Sequence, residues 1–189
     1  MAVSIVPKSA LVVVDSNVLV DLADDVERVW QAIEVIRTRA SRFVLVVPPT
    51  VIQELALLSQ SEEEGPALMD AATKALSSLR KWKIQPVNLV PVGHGICERI
   101  ADTLIEWKLL PSTERNDALV VAETAMLGAT ILLTSDGHIL DIDRDQLHLA
   151  LQSFDVDPPI RVPRGIARRP AGTMTVCPLT SRYLMLLPR

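Results

Sequence analysis

Two short apolar runs in this chain end in an acid, one near each end. Leu11-Val12-Val13-Val14 runs into Asp15-Ser16-Asn17, and Ile131-Leu132-Leu133-Thr134 runs into Ser135-Asp136-Gly137. A β-branched run this short and unalternating reads as a strand buried on both faces, the parallel-sheet pattern. Open α/β sheets bind ligands outside the carboxyl ends of their strands. If both strands are central and parallel, Asp15 and Asp136 point into one crevice. Clustered carboxylates repel, and the usual reason for the arrangement is a hard divalent cation.

Between these runs, apolar stretches alternate with helical spacing, the signature of βαβ units. Strands are expected at 11–15, 43–47 and 130–134, with extended chain at 84–92 and a last strand near 147–151. Helical patterns cover 26–40, 51–58, 67–83, 93–110 and 116–127. Thr50 reads as the N-cap of the helix at 51–58, with Gln53 in the capping-box place. Gly128 reads as the residue that ends the helix at 116–127. Asp21, Asp24 and Asp25 read as a solvated acidic loop after the first strand.

At 189 residues and 49% apolar, the chain can fill one domain core. No apolar stretch reaches the roughly 18 residues of a membrane span, and the N-terminus lacks the pattern of a signal peptide. The two cysteines, Cys97 and Cys177, read as reduced thiols of a cytoplasmic protein. Charge is unevenly spread. Six arginines and no acid follow Pro158, while the preceding residues hold 13 basic and 23 acidic groups, a net of −10. Such a body does not hold nucleic acid by charge alone. The expected organisation is a catalytic domain over 1–155 and a Pro/Arg-rich extension over 156–189. In the extension, the apolar stretches 173–176 and 183–187 are suited to docking on the body.

Four acids fall at strand ends or helix starts: Asp15, Glu54, Asp117 and Asp136. In a βαβ sheet these positions share one edge, and helix N-termini favour negative charge. An acid after a strand is often only a helix cap; four in comparable positions argue for a shared site. Mg²⁺ or Mn²⁺ is held by few carboxylates and keeps several waters, one of which can attack a phosphodiester. His94, His138 and His148 lack metal-ligand spacing, and His138 reads as a loop residue beside Asp136. Asp141, Asp143 and Asp145 mimic the start of a calcium loop, but Gln146 stands where that loop requires glycine. With aromatics at 3%, no base-stacking platform is evident.

Four segments carry a resemblance. They are Val12-Val13-Val14-Asp15-Ser16-Asn17-Val18-Leu19, Pro48-Pro49-Thr50-Val51-Ile52-Gln53-Glu54-Leu55, Asn116-Asp117-Ala118-Leu119-Val120-Val121-Ala122 and Leu132-Leu133-Thr134-Ser135-Asp136-Gly137-His138-Ile139-Leu140. In this order the chain resembles the PIN-domain family of metal-dependent ribonucleases. The resemblance implies an α/β fold, a three-layer α/β/α sandwich with a central, mostly parallel sheet. It implies a catalytic and metal-binding set of Asp15, Glu54, Asp117 and Asp136 around Mg²⁺ or Mn²⁺, supported by Thr134 and Asn17. Arg115 reads either as a contact to the scissile phosphate or as a surface arginine. Many members are toxins of toxin–antitoxin pairs, which implies an RNA substrate, an antitoxin protein and a homodimer. Residues 61–92 and the extension make this chain longer than a minimal toxin. Two other readings stand beside this one. One is a non-catalytic PIN-like module that binds a protein or RNA. The other is a haloacid-dehalogenase-like phosphatase, which would need an acid where Asn17 stands.

Overall fold

The computed structural model describes residues 10–40, 42–156, 175–180 and 182–186, the last two stretches as backbone only. The first apolar run forms β1 (Ala10–Val14). It pairs in parallel with β2 (Phe43–Val47) on one side and with β4 (Ile131–Thr134) on the other. Having neighbours on both edges and helices on both faces, it buries Val12, Val13 and Val14 completely. All four residues of β4 are buried as well. This explains why neither run alternates apolar with polar: no face is left to water.

Beyond β2 lies the short β3 (Ile84–Pro86), also parallel. It is an edge strand, and Pro86, lacking an N–H, is tolerated there. Beyond β4 lies β6 (Arg182–Leu186), parallel to it, and then β5 (Thr175–Thr180), antiparallel to β6. The six strands described run β3-β2-β1-β4-β6-β5 across the sheet. Both late strands fall within the expected extension, close to its two apolar stretches. Arg161, Arg164, Arg168 and Arg169, which precede these strands in the extension, lie outside the described residues.

The helices are α1 (Ser16–Ala23), α2 (Glu27–Arg39), α3 (Pro49–Leu58), α4 (Pro66–Ser78), α5 (Pro91–Glu106), α6 (Arg115–Met126), α7 (Gly137–Leu140) and α8 (Arg144–Gln152). Helices α1, α3 and α4 pack on one another, and α5 packs on α6 and α8. These two helical groups and the sheet are the three layers expected. The core they enclose includes Leu19, Leu22, Leu55, Ile100, Leu104, Leu132 and Leu133. Among the described residues no helix is long and apolar enough to cross a membrane.

Four local expectations are corrected. The expected strand near 147–151 is the body of α8: Leu147, Ala150 and Leu151 are buried at helical spacing, and Asp143 Oδ1 accepts from the Gln146 N–H at 2.9 Å as the N-cap. The expected acidic loop begins inside a helix, because Asp15 caps α1 and Asp21 lies within it, paired with Arg28 at 3.1 Å. Thr50 is not a cap: α3 starts at Pro49 after Pro48, which has no side-chain cap bond. The extended chain at 84–92 is a strand only to Pro86, because α5 begins at Pro91.

Candidate metal and active site

The parallel strands β1, β2 and β4 end on one edge of the sheet, and the chain leaves each of them into a helix. Asp15 follows β1 and is 3% exposed. Its backbone N–H donates to Leu133 O of β4 at 3.0 Å, which holds it at the junction of the two central strands. Its carboxylate is anchored from both sides: the Ser16 N–H donates to Oδ1 at 2.8 Å and the Thr134 hydroxyl donates to Oδ2 at 2.6 Å.

Thr134 is the hinge of the arrangement. Its Oγ1 also accepts from the Asp136 N–H at 3.0 Å, so one hydroxyl ties the first acid to the backbone of the last. Asn17 adds a second tie, its Oδ1 accepting from the Ser135 N–H at 3.3 Å. Both expected support residues, Thr134 on β4 and Asn17 on α1, thus link the junction of β1 and α1 to the end of β4. Asp136 itself caps α7, accepting from the His138 N–H at 2.6 Å and the Ile139 N–H at 3.3 Å.

Glu54 comes from α3 and takes a hydrogen bond from the Ser16 side chain. Asp117 lies in the first turn of α6. Its Oδ2 is buried and has no hydrogen-bond partner. A buried, unpartnered carboxylate oxygen is costly, and a missing ion is one of its ordinary explanations.

Electrostatics show that the four acids share one neighbourhood. Burial pushes Asp15 up to about 6, and the charges of Glu54 and Asp136 add to the rise. Asp117 is pushed up to about 8, first by burial and then by the charges of Asp136, Asp15, Glu114 and Glu54. Glu54 is raised too, by burial and by Asp136. Desolvation and like charge both favour the neutral acid, and a nearby cation would reverse both.

The donor set is all carboxylate oxygen, the chemistry that suits Mg²⁺ or Mn²⁺. Among the described residues no three His, Cys, Asp or Glu side chains already surround a metal-sized point. The orphaned Asp117 oxygen and the mutual repulsion of the four acids are what fit such an ion.

Arg115 is engaged elsewhere. Its guanidinium donates to Asp102 and Glu98, both on α5. Two residues near the site went unremarked in the sequence. Ser16 bridges Asp15 and Glu54. Glu114 adds its charge to Asp117 and stands 3.9 Å from His138 Nε2. Ser16 was legible as the polar residue directly after the first acid; Glu114 had no signal beyond its place three residues before Asp117.

The fold and this edge of the sheet define an α/β domain of PIN-like architecture. The structure of VapBC2 from Rickettsia felis bound to a DNA fragment from their promoter is similar, with a TM-score of 0.52 and 15% identity, covering 70% of this chain and 92% of that one. VapBC-1 from nontypeable Haemophilus influenzae matches with a TM-score of 0.49 and 11% identity, covering 76% of this chain and 93% of that one. No protein-family model and no curated protein matches this sequence. At such low identity the first likeness is one of fold.

Proposed function

We propose that the protein is a Mg²⁺- or Mn²⁺-dependent endoribonuclease and that it acts as the toxin of a toxin–antitoxin pair. The observation that carries the nuclease reading is the convergence of Asp15, Glu54, Asp117 and Asp136 from four separate elements, with one Asp117 oxygen buried and unpartnered. Acids held together against their own repulsion favour a cation-assisted reaction over a purely structural role. The likeness of fold to a VapBC2 structure supports the toxin reading and an antitoxin partner; a homodimer is proposed on the same footing.

In this reading Asp15, Asp117 and Asp136 would hold the ion directly or through water, and Glu54 would orient the attacking water or a second ion. The bound ion would supply positive charge at the scissile phosphate and make water more acidic. Thr134 and Ser16 keep Asp15 oriented, and Asn17 keeps the β4 end against α1. Attack by water with the 3′ oxygen leaving gives 5′-phosphate and 3′-hydroxyl ends.

The test is cleavage of structured and single-stranded RNA with Mg²⁺, Mn²⁺ or EDTA. Cutting that needs metal and leaves 5′-phosphate ends supports the proposal. Ends carrying 2′,3′-cyclic phosphate would overturn the mechanism, because the ribose hydroxyl would then be the nucleophile. Folded protein that cuts no RNA, yet binds a partner, would favour the non-catalytic module instead.

A further inference from the structure

Helix α3 carries Glu54 but starts without a cap of its own. Pro48 offers no side-chain acceptor and Pro49 has no N–H, so Thr50 supplies the first backbone donor. That donor finds its acceptor 73 positions away: the Thr50 N–H bonds Glu123 Oε2 at 3.2 Å. The Thr50 side chain hydrogen-bonds the same carboxylate. Glu123 is 3% exposed, and it lies on α6, the helix that carries Asp117.

A buried carboxylate is an expensive way to end a helix. A serine or aspartate at the position of Pro48 would cap α3 locally, and an apolar residue at position 123 would pack without desolvation. A local cap, however, holds only its own helix. Glu123 holds the start of α3 against α6. Glu54 lies four residues beyond Thr50, about one turn, and Asp117 lies six residues before Glu123, about 9 Å along the axis. The negative charge also suits the positive end of α3. The other charged or titratable groups facing Glu123 are on α5: His94, whose charge would favour the carboxylate, Glu98, which opposes it, and the buried Cys97 thiol, which burial and then the charge of Glu123 push up to about 12; burial raises the value of Glu123 overall.

We infer that Glu123 is a positioning residue of the carboxylate site: through Thr50 it sets the spacing of Glu54 on α3 relative to Asp117 on α6, and so the affinity for the divalent ion. The inference rests on the proposed metal site. Supporting residues of metal ligands commonly change affinity by about 10–100-fold when removed.

The experiment measures Mn²⁺ affinity by calorimetry and stability by denaturant for the full-length protein and three variants. Glu123→Ala is expected to weaken Mn²⁺ binding by about 10-fold or more. Glu123→Gln keeps size and an acceptor for the Thr50 N–H, and is expected to restore most of that affinity. Thr50→Val removes the hydroxyl bond alone and is expected to fall between them. A Glu123→Ala protein that is less stable but binds Mn²⁺ as the parent does would overturn the inference, leaving Glu123 a structural cap. If Glu123→Ala does not fold, Thr50→Val decides: weakened binding supports the inference and unchanged binding overturns it. A parent protein that binds no Mn²⁺ defeats the metal site itself and this inference with it, whereas a binding parent with equally binding variants defeats the inference alone.

Discussion

Asp117 is the residue whose surroundings make the most specific demand. Its raised value means that the native state holds the proton more tightly than the unfolded chain does. The stability this contributes is complete below the unfolded value of 3.8 and is lost as the pH climbs toward about 8. Asp15 acts in the same direction between 3.8 and about 6. The metal-free protein should therefore lose stability from pH 4 to pH 8, as followed by urea unfolding. Asp117→Asn should flatten that slope and stabilise the metal-free protein at pH 8 by more than about 1.4 kcal/mol, the equivalent of one pKa unit. A slope unchanged by the substitution would mean that Asp117 is not the group under strain. Asp15→Asn is a different case. Asparagine is a good N-cap and can still accept from Ser16, so unfolding free energy should change by less than about 1 kcal/mol, while metal-dependent RNA cleavage is abolished. Parallel loss of fold and activity would make Asp15 a structural cap.

At the scale of elements, the central strands were plain in the sequence because burial on both faces leaves an unbroken apolar run. Leu132 is fully buried in β4, and Leu132→Ala should cost about 2–5 kcal/mol in denaturant unfolding, the range for a leucine cavity. Gly128 ends α6 at φ +60° with open space around its Cα. Gly128→Ala should therefore cost about 1–2 kcal/mol from backbone conformation alone; a neutral result would mean that the turn relaxes. Helix α8 was the element misread. Its apolar residues Leu147, Leu149, Ala150 and Leu151 are dense enough to suggest a strand, and only Leu149 faces water. The signal available was Asp143, an acid three residues before Gln146 and in the N-cap place. Thr50 was misread for the opposite reason. A threonine before an apolar helical run looks like a cap, and nothing local reveals that Pro49 is already helical or that Glu123 supplies the acceptor.

On the scale of the whole molecule, the described body is acidic while its candidate site is a further concentration of acids. A divalent ion that binds the native state alone should stabilise it by about 2.7 kcal/mol at one hundred times its dissociation constant. Thermal unfolding with and without Mn²⁺ should show a rise in Tm that Asp117→Asn removes. No rise at millimolar Mn²⁺ would count against the site.

What the sequence determined by itself is the set of groups with strong local signatures. The β1 and β4 runs, the acids that follow them and Asp117 at the start of α6 are all visible because burial and helix starts leave short patterns in neighbouring residues. The order of four such segments carried the family resemblance that implied the three-layer fold. The tertiary structure alone decided how those groups meet. The Thr134 hydroxyl reaches Asp15 across 119 positions and ties it to the Asp136 backbone, Arg115 turns away to Glu98 and Asp102, and Glu123 closes the start of α3 from another helix. Each is a contact between residues far apart in the chain, set by how helices lie on the sheet, and a linear pattern carries no record of it.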